Sequence, residues 1–251
     1  PEVAEDVTFS MLDRDVRGRL RTLSKDSAER VGRHLVMVGR LLQSDPELAY
    51  EHAQAAVRRG GRVDVVREAA GLAAYRTGRY GEALRELRTV RRLNGSPEHL
   101  PVMADCERGL SRPERALVVA QDPQVAELSA EAMVELAMVG SGARLDLDEP
   151  EAALAALGTP QVRGAAGVLA ARAAQARATA LDACGRHDEA ERELAPYSAE
   201  ELAEAAGDVD EEDDVVVYDL LDDTVEGEQV DAPEGEGPPP AADVDGPGHE
   251  A

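Results

Sequence analysis

Residues 65–94 of the chain read VVREAAGLAAYRTGRYGEALRELRTVRRLN. Apolar residues recur in this stretch at intervals of three and four, the spacing of one helix face, and Gly78 interrupts the pattern near its middle. Gly71 and Ala83 are small enough to let two helices cross closely, and Tyr80 stands where it would close the end of the pair. The stretch therefore predicts two helices that are joined by a tight turn and packed against each other.

The small residue at the helix crossing recurs along the chain at nearly even spacing. Successive anchors are 34, 33, 36 and 38 residues apart, and they are Ala49, Ala83, Ala116, Ala152 and Ala190. Helix pairs repeated about every 34 residues are typical of tetratricopeptide repeats (TPRs). Since one pair cannot bury its apolar face alone, the pattern predicts an all-α solenoid of about five TPR-like helix pairs with capping helices, over residues 13–207. A helical bundle without repeats is the alternative.

Proline and glycine mark where the helices should begin and end. Proline suits the first helical turn, so helix starts are predicted at residues 44–47, 95–98, 111–114 and 148–151. Further breaks are expected at residues 60–61, 78, 140–142, 158–160, 185 and 196. A capping helix is predicted at 13–23, a first repeat helix from near Ser27, and a last helix at 199–206 after the capping box of Ser198 and Glu201. The pattern predicts roughly ten to twelve helices of about 10–16 residues, after a flexible N-terminus at 1–12.

The negative charge of the chain is concentrated at its C-terminal end. The formal net charge is −24, and residues 208–251 contain 17 Asp or Glu and no Lys or Arg. Such a segment cannot bury enough apolar surface to fold, so a disordered acidic tail is predicted, with a short apolar island at 215–221 (VVVYDLL). The remainder lacks a basic footprint, which argues against direct nucleic-acid binding.

Cysteine content and hydropathy indicate the compartment. Cys106 and Cys184 are the only cysteines, they form no C-x-x-C pair, and no apolar run reaches the length of a membrane helix. We therefore expect free thiols, no membrane partner and a cytoplasmic location. The chain begins at Pro1 rather than Met, which suggests a truncated start.

Three stretches resemble a family of actinobacterial TPR proteins of unassigned function. They are residues 28–50, 66–93 and 101–117, and the acidic tail with its short apolar core is also similar to the family. Members often carry a basic N-terminal extension, which is absent here, and an aromatic-rich helix where residues 168–185 are rich in alanine. The resemblance implies a TPR fold and an actinobacterial source, but it supplies no catalytic residue and no ligand.

Enzyme chemistry has no visible basis in the sequence. There is no glycine-rich phosphate loop, and the histidines show no metal-ligand spacing. His187 and the two acids after it match the turn between two helices, so we interpret them as a surface turn. We expect no catalytic residue, no metal and no cofactor, and the chain is predicted not to be an enzyme.

The inner face of the predicted solenoid is the candidate binding surface. The leading helix of each TPR pair lines a groove, and a peptide with apolar anchors would suit its mixed surface. The predicted groove residues are His34, Val38, Leu41, Glu68, Leu72, Tyr75, Asp105, Arg108, Arg172, Gln175 and Thr179.

Arginines form a second candidate surface, a basic edge. Its residues are Arg58, Arg59, Arg62, Arg85, Arg88, Arg91 and Arg92. Either they form a solvated face with i,i+4 pairs to Glu82 and Glu86, or they dock an acidic partner such as the protein's own tail.

Two functions follow from these surfaces. The first is an adaptor that binds an unidentified protein or peptide in the groove. The alternative is an accessory factor of a ribosome or ribonucleoprotein that docks through the basic edge. Salt dependence separates the two, because contacts to phosphate weaken steeply with salt.

Overall fold

The computed structural model describes residues 1–207 of the chain. Within that range the chain forms α-helices and three short 3-10 turns and no β-strand, so the all-α prediction is confirmed for it. The helices are α1 (Arg14–Arg19), α2 (Lys25–Leu41), α3 (Pro46–Gly60), α4 (Asp64–Arg76), α5 (Tyr80–Asn94), α6 (Leu100–Gly109), α7 (Pro113–Ala120), α8 (Ala130–Leu145), α9 (Pro150–Ala156), α10 (Pro160–Arg163), α11 (Gly167–Ala183), α12 (His187–Leu194) and α13 (Ala199–Ala206). The predicted tail at 208–251 and its island at 215–221 lie outside the described residues.

Helices that are adjacent in sequence pack side by side as hairpins. The pairs are α2 with α3, α4 with α5, α6 with α7, α8 with α9, and α11 with α12. Each hairpin contacts the next one along the chain, and α13 packs on α11. This nearest-neighbour order is the one expected of stacked helical repeats. That the stack is a TPR solenoid stays a prediction.

Three of the four proline-containing helix starts are confirmed. Pro46, Pro113 and Pro150 are the first residues of α3, α7 and α9. The start predicted at 95–98 is wrong, because α6 begins only at Leu100. Gly95 instead ends α5 in the left-handed conformation, with φ of 74°, so the residues between serve as a connecting turn.

The break predicted at residues 140–142 is also wrong, because α8 runs through it without interruption. A Cβ atom on Gly142 would lie 2.7 Å from Cζ of Arg108, whose guanidinium reaches over from α6. Glycine at this position therefore provides room for a neighbouring helix's side chain rather than a turn.

The N-terminal end of the described chain packs against the first repeat helix, and the C-terminal end forms the predicted last helix. Residues 1–12, expected to be flexible, contact α2: Val7 is buried, its carbonyl accepts from Arg33 Nε at 2.9 Å, and Asp6 pairs with Arg40 at 2.7 Å. At the other end, α13 has the predicted bounds, and both hydrogen bonds of the capping box between Ser198 and Glu201 are present.

The first helix is shorter than predicted, and the second begins earlier than predicted. The capping helix expected at 13–23 is α1 followed by a 3-10 turn, Leu20–Thr22. The first repeat helix begins at Lys25 rather than near Ser27, because Ser24 is its N-cap and accepts a hydrogen bond from the Ser27 amide.

Alanine anchors form the helix crossings. Ala49, Ala83, Ala116 and Ala190 are buried as predicted, but the fourth anchor is Ala153, which is fully buried, rather than its neighbour Ala152. An alanine at each crossing lets two backbones approach, and the buried area is then supplied by leucine and valine from the flanking turns.

Candidate functional site

A concave cavity of about 430 Å³ opens between the leading helices of the central hairpins, and we call it the central groove. It is walled by α4, α6, α8 and α11 and bounded at one end by α13. Five predicted groove residues line it together: Tyr75, Asp105, Arg108, Arg172 and Gln175. Glu98, Pro101, Val102, Ala132, Glu135, Met138, Val139 and Ala205 complete the lining.

A polar network crosses the wall of the central groove from α4 to α8. The Tyr75 hydroxyl donates to Asp105 Oδ2 at 2.6 Å, and Arg108 donates to Asp105 Oδ1 at 3.1 Å and to Asp146 Oδ2 at 2.8 Å. Burial, and then the hydrogen bond to Asp105, raise the pKa of Tyr75, while the bond to Asp146 raises the pKa of Arg108. The tyrosine stays neutral and the arginine charged at any physiological pH, so the network is fixed.

Polar side chains also connect the helices on the far wall of the central groove, α8, α11 and α13. Arg172 on α11 pairs with Glu135 on α8. Gln175 Nε2 donates to the Leu202 carbonyl at 2.9 Å, which holds α13 against α11. Most of these polar side chains therefore engage one another, and the larger share of the lining surface left open to a ligand is apolar.

Three apolar side chains of that lining are Val102 on α6, and Met138 and Val139 on α8. Each is half-buried, so part of it contacts the core and part faces the cavity. None of them was among the predicted groove residues, because no groove position was predicted in the fourth repeat, to which α8 belongs. The helical period puts Ala132, Glu135 and Met138 of α8 on one face.

The other predicted groove residues do not line the cavity. Val38 is buried in a core cluster, with 4 % of its surface exposed. Glu68 lies 3.2 Å from Nε2 of His99, and Thr179 donates to the Gln175 carbonyl of its own helix. Leu41 and Leu72 are half-buried but lie outside the lining.

His34, the remaining predicted groove residue, is bonded to a second histidine. Its Nδ1 is 2.9 Å from Nδ1 of His52, which is completely buried on α3. One nitrogen must donate and the other accept, so the accepting ring is neutral, and the two rings cannot both be protonated in this geometry. Burial, and then the neighbouring His52, lower the pKa of His34 to about 4, and burial also lowers the pKa of His52.

The histidine pair should make the fold sensitive to mild acid. The pKa of His34 in the folded protein is below its ordinary value of 6.5. The contribution of the neutral His34 ring to the free energy of unfolding is therefore complete above pH 6.5 and is lost as the pH falls towards 4. We expect about 1–2 kcal/mol of stability to be lost in that window, after allowing for solvent at this half-exposed ring. Urea unfolding at several pH values measures it. His34→Gln should reduce the loss, whereas His187→Gln, on an exposed histidine, should not; equal losses in all three proteins would contradict the assignment.

The basic edge divides into paired and unpaired arginines. Arg88 Nη2 lies 2.8 Å from Glu107 Oε1, and Arg91 binds both oxygens of Asp122 at 2.8 Å. These two arginines join one hairpin to the next. Within residues 1–207 the others form no ion pair and are exposed: Arg58, Arg59, Arg62, Arg85 and Arg92.

The i,i+4 pairs considered for this edge do not form. Glu82 accepts hydrogen bonds from Tyr50 at 2.9 Å and Gln54 at 2.8 Å, and Glu86 pairs with Arg67 at 2.7 Å. Both carboxylates therefore face the preceding helices instead of the arginines on their own helix.

The end of the central groove depends on a helix cap. Ser198→Ala should remove the cap of α13 and cost about 1 kcal/mol of local stability. We expect faster amide hydrogen exchange in Ala199–Ala206 and unchanged exchange in the hairpins. Ser44→Ala, at an exposed serine that caps no helix, is the control, and unchanged exchange in α13 would refute the prediction.

Other reactive groups are not assembled into a site in the part of the chain that the structure describes. Residues 1–207 contain no cluster of three or more potential metal ligands. Burial, and then Asp105 and Glu107, raise the pKa of Cys106 to about 12, which leaves it an unreactive thiol. His187 lies exposed at the start of α12, as expected of a surface turn. Among these same residues, no helix combines the length and the hydropathy needed to cross a membrane.

Comparison with known proteins returns no match, either to a protein-family model or to a curated protein. The central groove and the basic edge are therefore judged by their geometry.

Proposed function

We propose that this protein is a TPR-type adaptor, located in the cytoplasm, that binds a peptide or helix of a partner protein in the central groove. The observation that carries the proposal is the apolar lining of Val102, Met138 and Val139 in a cavity where four of the five charged lining residues are already paired within residues 1–207, Glu98 being the exception. On this proposal the protein has no catalytic role and needs no cofactor. The resemblance to actinobacterial TPR proteins agrees with it.

The pairing of the arginines determines what kind of ligand the groove favours. Arg108 and Arg172 each have a carboxylate partner, so an anionic ligand would have to displace an existing bond to gain one. Apolar side chains, in contrast, gain the burial of Val102 and Met138 without breaking anything. A volume of about 430 Å³ accommodates a few apolar side chains from one turn of helix or a short extended segment.

The alternative function keeps a specific observation in its favour. Five exposed arginines of the basic edge form no ion pair within the described residues, and Arg58, Arg59 and Arg62 follow one another closely at the end of α3. Such a cluster would contact phosphates of a ribosome or ribonucleoprotein without reading bases. Binding of this kind would decrease steeply with salt concentration.

Affinity capture tests the adaptor function and separates it from the alternative. The full chain is used as bait in lysate of the organism that encodes it, beside Met138→Glu and Val118→Glu. Val118 lies on α7 outside the groove and is 70 % exposed, so its substitution introduces the same charge elsewhere. Thermal unfolding shows whether each variant is folded. Met138→Gln, which has a side chain of similar length to methionine, is the second groove variant.

The two functions predict opposite results. A groove adaptor retains its partner at moderate salt, loses it with Met138→Glu, and keeps it with Val118→Glu. Retention that survives Met138→Glu but disappears with nuclease or high salt would reject the groove and support the basic edge.

A further inference from the structure

A second cavity, of about 590 Å³, lies at the N-terminal end of the described chain, and we call it the N-terminal cavity. Four cationic side chains line it: Arg14, Arg17, Arg21 and Lys25. Its apolar surface comes from Phe9, Leu23 and Ala28, and Glu29 is the one acidic side chain in the lining. A cavity with four cations and one carboxylate is an exception in a chain whose net charge is −24.

Local structure explains why the cations converge. Arg14, Arg17 and Arg21 are spaced by three and four along α1 and the 3-10 turn after it, so they lie on one face. Lys25 is the first residue of α2, and Ala28 lies in the same turn. The positive end of the α2 dipole therefore adds to the potential of the cavity.

In the part of the chain that the structure describes, these cations have no carboxylate partner, unlike other arginines nearby. Arg19 pairs with Asp64, and Arg40 pairs with Asp6. Within residues 1–207 none of the four cavity cations is in an ion pair, and Arg17 Nε is shielded from solvent without a hydrogen-bond acceptor. A buried donor without an acceptor is destabilising, and a bound anion would supply the missing acceptor.

We propose that the N-terminal cavity binds an acidic peptide segment in which aspartate or glutamate adjoins an apolar side chain. Guanidinium groups bind carboxylates through paired hydrogen bonds, so Arg14, Arg17 and Arg21 would hold the acidic side chains. Phe9 and Leu23 would cover the apolar one. The site is separate from the central groove, so the adaptor would have a second, electrostatic contact with a partner.

The shape and lining of the cavity favour a peptide over other anions. Inorganic phosphate would satisfy the arginines but leave the apolar surface of Phe9 and Leu23 unused. A membrane is a flat surface and favours protruding basic and apolar groups, whereas these side chains line a concavity. Both remain as competing outcomes of the test.

Fluorescence anisotropy of a labelled peptide, with leucines flanked by aspartates, tests the proposal on the full chain. The site variant is Arg14→Gln with Arg17→Gln and Arg21→Gln. Its control is Arg58→Gln with Arg59→Gln and Arg62→Gln, which removes the same charge from the exposed end of α3. In case Arg17 matters for folding, Arg14→Gln with Lys25→Gln changes only exposed side chains of the cavity.

We expect the site variant to weaken binding by about tenfold or more, and the control by about twofold or less, since only the site variant removes charge-assisted hydrogen bonds to the peptide. Asparagine in place of the aspartates should weaken binding as strongly, and alanine in place of the leucines should weaken it measurably. Equal weakening by the site and control variants would overturn the proposal, as would indifference to the leucines or displacement by millimolar phosphate. Binding of anionic vesicles in preference to the peptide would also overturn it.

Discussion

Replacing Gly71 with valine should lower the free energy of unfolding by about 3 kcal/mol or more. Gly71 is buried in α4 where it crosses α5, and a Cβ atom there would lie 2.7 Å from Cδ2 and 2.9 Å from Cγ of Leu87. Leu87 is completely buried. Valine would therefore force the two helices apart at the crossing that defines the hairpin.

Gly39 is the matched control for this substitution. It also lies inside a helix, α2, but it is exposed and a Cβ atom would meet no other atom within 4 Å. Gly39→Val should change stability little, and Gly39→Ala should raise it by up to about 1 kcal/mol through helix propensity. Chemical unfolding measures all three proteins. Similar losses for valine at both positions would contradict close packing at Gly71.

Arg88→Ala should cost about 2–3 kcal/mol, although the arginine side chain is half exposed. Its partner Glu107 is only 3 % exposed, and Oε2 of that carboxylate accepts no hydrogen bond. After removal of Arg88, the nearest cation is Arg112, whose Nη1 lies 3.8 Å away. The cost arises from a charge left buried with one distant partner.

A second substitution tests this reason for the cost. Glu107→Gln in the Arg88→Ala background removes the buried charge and should restore about half of the lost stability or more. Arg85→Ala, on the same helix and in no ion pair, should cost less than about 0.5 kcal/mol. The buried-charge explanation fails if Arg85→Ala is as costly as Arg88→Ala, or if the double variant is the least stable of the set.

The parts of the fold that could be predicted depend on residues close in sequence. Ala49 and Ala83 mark helix crossings because each crossing needs a small residue at a fixed place in its own hairpin. The start of α13 follows from the capping box of Ser198 and Glu201, whose bonds span three residues. Helix type and pairing were therefore accessible from local pattern.

Contacts between hairpins were not accessible in this way. Arg108 bonds to Asp146, 38 positions away in sequence, and its side chain passes over Gly142. The residues next to Gly142 in sequence do not reveal this contact, and without it the glycine suggests a turn. Glu86 pairs with Arg67 on another helix instead of the arginines on its own. The pairing of acids with bases depends on how the hairpins stack. The set of residues that line the central groove depends on the same stacking.

Selection of a random peptide library on the purified full chain tests peptide binding in the central groove most directly. We expect enriched peptides to share apolar side chains at helical or alternating spacing, and to lose binding to Met138→Glu but not to Val118→Glu. Enriched peptides that bind both variants equally, or a library that yields no enrichment, would contradict a peptide-binding groove.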